Sequence, residues 1–280
     1  MSDGLDLERM KRGLRCALVT AGAIAFAFGF HAFIGGAHGQ SLGCEIPVAA
    51  QGTLIARCHK GYVTIFDTAA KVPYLVAYRL TGPHTLGCSS RKGLSFKVDA
   101  LAPAADQGRP NDYHGSGYDL GHMAPNQDFA WDAAEQRDTF SMLNVAPQVP
   151  GLNRQGWEAL EEDVRAWALE RGTVDVYVGA VITAGDATIG AHHVDVPAAF
   201  WKVIADPSRH EAIAFEMPNE PVAKGDLAPY LVSIPTVDKI LGTVLPIAAG
   251  ADEGAALTVW PADLKAWRKA HSDACTKTGS

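Results

Sequence analysis

The chain has 280 residues, 48% of them hydrophobic, enough for one sizeable core, and its formal charge is -7. That acidic balance excludes a protein that gathers nucleic acid by long-range attraction over its whole surface; it leaves catalysis in a local basic cleft open. No repeat, low-complexity tract or linker divides the chain, so residues 40–280 are expected to form a single domain.

Lys11 to Arg15 is basic, Cys16 to Phe30 is almost wholly apolar, and Ala37-His38-Gly39 puts small residues ahead of Gln40. This is the plan of a secretory signal peptide over residues 1–39. Apolar character continues to about Gly36, near spanning length, so a signal anchor is the alternative. The membrane is a partner only in that case. Either way the body is expected to be exported, periplasmic or secreted. Export gives meaning to Cys44, Cys58, Cys88 and Cys275, an even set with three possible pairings. Of these we expect Cys44–Cys58, closing a short loop, and Cys88–Cys275, tying the C-terminal helix to the body.

Short β-branched and aromatic runs predict strands at Tyr62–Phe66, Tyr74–Leu80, Val174–Ile182, Phe200–Ala205, Ala212–Met217 and Tyr230–Ile234. Thr139–Val145 reads as a further, buried strand ending at Ala146-Pro147. Gly82–Gly93 and Leu101–Gly117 are polar or Gly/Pro-rich and read as loops. Trp157, Leu160, Val164 and Trp167 recur at helical spacing, which predicts a helix over Asn153–Arg171 with Gly172 as its stop. Thr236–Leu241 and Ala262–Ala274 are the other expected helices. Without regular βαβ alternation, the pattern is α+β with a mainly antiparallel sheet.

The chemistry concentrates around Gly117-Tyr118-Asp119-Leu120-Gly121-His122-Met123-Ala124-Pro125. Asn144, Asn153 and Glu161 follow within forty residues, with no Cys and no second His among them. One imidazole, two amides and a carboxylate suit a hard, water-keeping cation acting on an oxygen-rich substrate better than zinc. A Gly neighbour and a polar approach loop predict an exposed His122, whose near-neutral pKa lets it accept a proton from water. Asn153 opens the predicted helix, where an Asn is also a good cap. Glu161 lies eight residues on, about 80° round the helix, so the two share a face. Tyr118, Phe129 and Trp131 are candidates for stacking bases, Phe129 being the one expected in the core. The pair His192-His193 is expected at the surface or in the core, because neighbours on a strand point oppositely.

Tyr113–Glu161 resembles the core of the DNA/RNA non-specific endonucleases, the ββα-metal nucleases that include endonuclease G. The resemblance is carried by Asp119-Leu120-Gly121-His122 with its flanks, by Thr139 to Gln148, by Gly151-Leu152-Asn153-Arg154, and by Trp157 to Glu161. Weaker similarity runs from about Cys44 to Gly242. The resemblance implies a ββα-metal fold, with a mainly antiparallel central sheet flanked by helices. It implies hydrolysis of DNA and RNA to 5′-phosphate ends with Mg²⁺, Mn²⁺ being a substitute, and no small-molecule cofactor. It further implies His122 as general base, Asn153 as the protein's metal ligand and Glu161 as holder of the metal's waters. Asn144 would lie within reach of the phosphate, and Arg91, in competition with Lys92 and Lys97, would bind phosphate. Leu120 is the departure, since the family normally has Arg there. Its absence would remove transition-state stabilisation on the order of 2–4 kcal/mol, unless His114 compensates. A nuclease-fold protein that binds without turnover and a phosphodiesterase for another exported phosphate ester are the rival readings.

Overall fold

The computed structural model describes residues 50–183, 185, 187–247 and 257–278. The expected signal over residues 1–39 and the expected disulfide partner Cys44 lie outside the described residues. In chain order the strands and helices begin with β1 (Leu54–Cys58), β2 (Tyr62–Asp67), β3 (Val72–Thr81), β4 (Asp119–His122), α1 (Ala133–Asp138) and β5 (Val145–Gln148). Then come α2 (Trp157–Arg171), β6 (Thr173–Val181), β7 (Thr188–Ile189), β8 (Val194–Asp195), β9 (Ala199–Asp206) and β10 (Glu211–Pro218). The last are β11 (Leu231–Val232), α3 (Ile234–Leu241) and α4 (Leu264–Thr278).

Seven strands form one antiparallel sheet in the order β1-β2-β3-β6-β9-β10-β11. Period-2 alternation splits its side chains between two cores. Val176 and Val178 on β6, Phe200 and Ile204 on β9, and Ile213, Phe215 and Met217 on β10 face one side. There they meet Trp157, Leu160, Val164 and Trp167 of α2, the four residues whose spacing predicts the helix, all fully buried. Tyr177, Trp201, Val203 and Ala214 face the other side and meet Ile234, Val237 and Leu241 of α3. β4 and β5 pair with each other antiparallel, apart from the main sheet. With α2 they make the ββα unit that carries the site.

Several expectations change. The strand expected at Thr139–Val145 is instead a cap, a turn and β5: Thr139 ends α1, and Ser141 Oγ accepts from Leu143 N to open the turn Met142–Asn144. Tyr230–Ile234 supplies only β11, because Ser233 accepts from Thr236 N and caps α3. His192 and His193 sit in a turn, not on a strand, and His192 Nδ1 bonds the Asp112 carboxylate at 2.9 Å. The helix around Asn153 begins earlier than expected, with a wide π-type turn over Leu152–Gly156 ahead of α2. Residues 221–222, distant in sequence, pack against this turn. Val222 N donates to Gly151 O at 3.1 Å and Gly156 N donates to Val222 O at 2.8 Å. A Cβ on Gly156 would come within 2.4 Å of Val222 Cγ1, so this approach needs glycine.

Cys88 is bonded to Cys275, which ties α4 to the loop after β3 across 187 residues of sequence. Cys58 is also disulfide-bonded. Closing so long a loop restricts the unfolded chain. Cys275→Ser is therefore expected to lower unfolding free energy by about 2–4 kcal/mol. Urea titration of oxidised wild type beside the variant measures it; coincident midpoints would show that α4 packs without the bond.

Candidate active site

β4 delivers the central histidine. Its register with β5 places Asp119 opposite Gln148, Leu120 opposite Pro147, Gly121 opposite Ala146 and His122 opposite Val145. His122 therefore ends a strand, and the exposed turn expected for it is absent. Its ring is half-buried, 4.8 Å from the Phe96 ring and 5.2 Å, edge to face, from Phe140. Nε2 is buried with no hydrogen-bond partner among the described residues. Burial, then the nearby Arg91 charge, pushes the imidazole pKa down to about 3. The resting ring is neutral, with a lone pair to offer.

Asn144 does not reach the cleft. It is fully buried, and Oδ1 accepts from Ala124 N while Nδ2 donates to Ala124 O and Thr139 O, each at 2.9 Å. With Met123 N donating to Asn144 O, these bonds clamp the chain just after His122 to the end of α1. The phosphate contact expected of Asn144 is replaced by a structural clasp, because its polar atoms are spent on backbone.

Asn153 does line the cleft, from the π-type turn. Asp119 of β4 orients it: Oδ2 accepts from Asn153 Nδ2 at 2.9 Å and from Arg154 Nε at 2.8 Å, while Oδ1 accepts from Arg154 Nη2 at 2.5 Å. With the amide nitrogen occupied, the carbonyl oxygen is left for the cleft. Glu161, one turn along α2, lines the same cleft. Burial raises its carboxyl pKa to about 7 against the pull of Lys202 and Arg165. Lys202 Nζ of β9 lies 3.9 Å from Glu161 Oε1 and 4.4 Å over the Trp157 ring, fully buried and without a hydrogen bond among the described residues. Arg165 Nη1 in turn donates to Asp128 Oδ1 at 2.9 Å, and Tyr78 OH to Asp128 Oδ2 at 2.8 Å.

These groups border one cleft of about 480 Å³. Arg91 lines it as expected, its guanidinium 5.7 Å over the Phe140 ring and with no carboxylate partner among the described residues. Arg154 and Arg165 also line it but are held by Asp119 and Asp128. Leu120 presents an apolar wall, and His114 sits exposed in a turn, not among the lining residues. Sequence reasoning missed Lys202, a lone charge within the apolar run Ala199-Phe200-Trp201-Lys202-Val203-Ile204-Ala205, which is a legible signal. It also missed Trp267 and His271 of α4, which line the cleft from the far end of the chain. Among the described residues no three His, Cys, Asp or Glu side chains converge as a metal cage. The oxygen donors present, the Asn153 carbonyl and the Glu161 carboxylate, fit a hard cation that keeps most of its waters.

The family model of the DNA/RNA non-specific endonucleases matches residues 43–252. Human mitochondrial endonuclease G is 31% identical over 200 residues, spanning 66% of this chain and 67% of the relative. Mitochondrial nuclease 1 of Schizosaccharomyces pombe is 29% identical over 219 residues, 70% of this chain and 66% of that protein. Among solved structures, an EndoG/EndoGI complex contains a chain that superposes with a TM-score of 0.68 at 26% identity, covering 76% of this chain and 94% of that one.

The Asn144 clasp predicts a stability phenotype. Asn144→Ala leaves three buried backbone groups without partners and is expected to cost about 2–4 kcal/mol. Chemical denaturation of the variant checks it; an unchanged midpoint with lost turnover would return Asn144 to the chemistry.

Proposed function

Because the chain belongs to the DNA/RNA non-specific endonuclease family, and so is a phosphodiester-cleaving endonuclease, we propose that it hydrolyses both DNA and RNA with Mg²⁺ to 5′-phosphate ends. The observation that carries this reading is the His122 imidazole, which shares one cleft with Asn153 and Glu161.

The His122 imidazole takes a proton from water as the water oxygen bonds to phosphorus; the bond from phosphorus to the 3′-oxygen then breaks, that oxygen leaves as an alcohol protonated from solvent, and the phosphate stays on the 5′ side. A neutral imidazole can act without first losing a proton, and an anionic phosphate beside it raises its basicity. Phe96 and Phe140 fix the ring plane. The Asn153 carbonyl, oriented by Asp119, and the Glu161 carboxylate, through the ion's waters, are the groups that would hold Mg²⁺. Bound there, the cation would act as a Lewis acid on the phosphoryl and leaving oxygens. Arg91, free of carboxylates, binds the substrate phosphate. No residue of this set contacts a sugar in the reading, which is why DNA and RNA are both substrates. An exported, oxidising location is part of the proposal, supported by the basic and apolar N-terminal runs and by the Cys88–Cys275 bond.

Incubated with plasmid or RNA and Mg²⁺, residues 40–280 are expected to cleave both, and EDTA to stop the reaction. His122→Ala is expected to lower kcat by about a hundredfold or more while keeping the melting temperature. Asn153→Ala should raise the Mg²⁺ concentration needed for half-maximal rate. Failure to cleave either polymer across Mg²⁺ and Mn²⁺ titrations would sink the proposal in favour of a nuclease-fold binder.

Leu120 supplies a second test. If the missing guanidinium limits the rate, Leu120→Arg should raise kcat/KM by at least about tenfold, and the gain should shrink as salt rises. No change would mean that Arg91 already fills the phosphate position.

A further inference from the structure

Trp131 is 40% exposed, an unusual state for tryptophan, and its ring lies flat on His84, with centroids 3.9 Å apart and planes within 6°. Burial lowers the His84 pKa, so its partner is a neutral ring. Trp131 borders a hollow of about 500 Å³ whose other lining residues include Pro83, Leu86 and Ala274, none of them charged. The platform is held in place. Ser89 N donates to Ala130 O at 2.8 Å. Asp132, next in sequence, caps α1 through Ala134 N and Glu135 N. Gly87 approaches so closely that an added Cβ would lie 2.0 Å from Trp131 N.

Two observations join this hollow to the cleft. The loop Gly87-Cys88-Ser89 that lines it reaches Arg91 of the cleft two residues later, at most about 7 Å of chain. The Gly87 carbonyl also meets His271 Nε2 of the cleft wall at 3.0 Å. The hollow beside Trp131 and the cleft that Arg91 lines are thus joined through one loop and one helix, as neighbouring subsites along a strand would be. A bare aromatic face beside an uncharged hollow suits a nucleobase, because every base has a π-face and stacking does not select sequence.

We propose that Trp131, backed by His84, is a base-stacking subsite for a nucleotide flanking the scissile phosphate of single-stranded DNA or RNA. This rests on the nuclease reading for the identity of the occupant. Stacking contributes through the ring alone, so Trp131→Phe should retain it and Trp131→Leu should lose it.

The test is anisotropy with a short fluorescent oligodeoxythymidylate in EDTA, where binding is read without turnover. Trp131→Leu and Trp131→Ala are expected to raise Kd roughly tenfold, and Trp131→Phe to change it by less than about threefold. With Mg²⁺ the same two variants should raise KM for that oligonucleotide without lowering kcat. Equal Kd for all four proteins would overturn the subsite, and would equally point to a protein partner for this hollow. A wild type that binds but does not cleave would count against the nuclease reading alone, leaving the Kd comparison to decide on Trp131. Were Trp131→Ala to melt early, Trp131→Leu against Trp131→Phe would still decide it.

Discussion

The Asp119 carboxylate holds two successive side chains of another element, and the cleft depends on that grip. Asn153 and Arg154 sit in a π-type turn that has no side-chain cap of its own. Asp119 reaches them from β4, three residues before His122. One carboxylate thus fixes the distance between the strand that carries His122 and the turn that carries Asn153. Charge-assisted, forked bonds of this kind are stronger than neutral ones and set orientation as well as position. The outer Arg154 bond is exposed, so its part is geometric more than energetic.

Behind the cleft, charge is buried where a hydrophobic core would be simpler. Glu161, Lys202, Arg165, Asp128 and Tyr78 form a chain of contacts between α2 and the sheet. Desolvating these groups is costly, and an ion pair recovers the cost only when all its partners remain in place. The arrangement makes sense if Glu161 must face the cleft as a carboxylate: Lys202 and Arg165 oppose the burial that favours its neutral form. Trp157, under the Lys202 ammonium, belongs at once to this cluster and to the hydrophobic core. Stability and site are therefore coupled through α2.

Much of this was legible because it is periodic. The α2 face, the central strands and the antiparallel sheet follow from spacing alone, and the ordered motif places His122, Asn153 and Glu161 about one cleft. What escaped lies in non-local pairing. β4 is four residues long with a glycine inside it, too short to show alternation, so His122 read as a turn residue. The fate of the Asn144 amide depends on Ala124 and Thr139 arriving beside it, which no local pattern encodes. Lys202 stood out as a charge in an apolar strand, but its neighbour Glu161 comes from an element 41 positions earlier.

The family-matched segment ends at residue 252, yet Trp267 and His271 of α4 line the cleft, and Cys275 anchors that helix to Cys88. The cleft thus takes one wall from beyond the family-matched segment, and a disulfide spanning 187 residues ties that wall to the body. Without α4 the groove that His122 and Asn153 line would stand open on one side. Completion of the cleft therefore depends on the docking of α4, which the bond between two cysteines makes covalent.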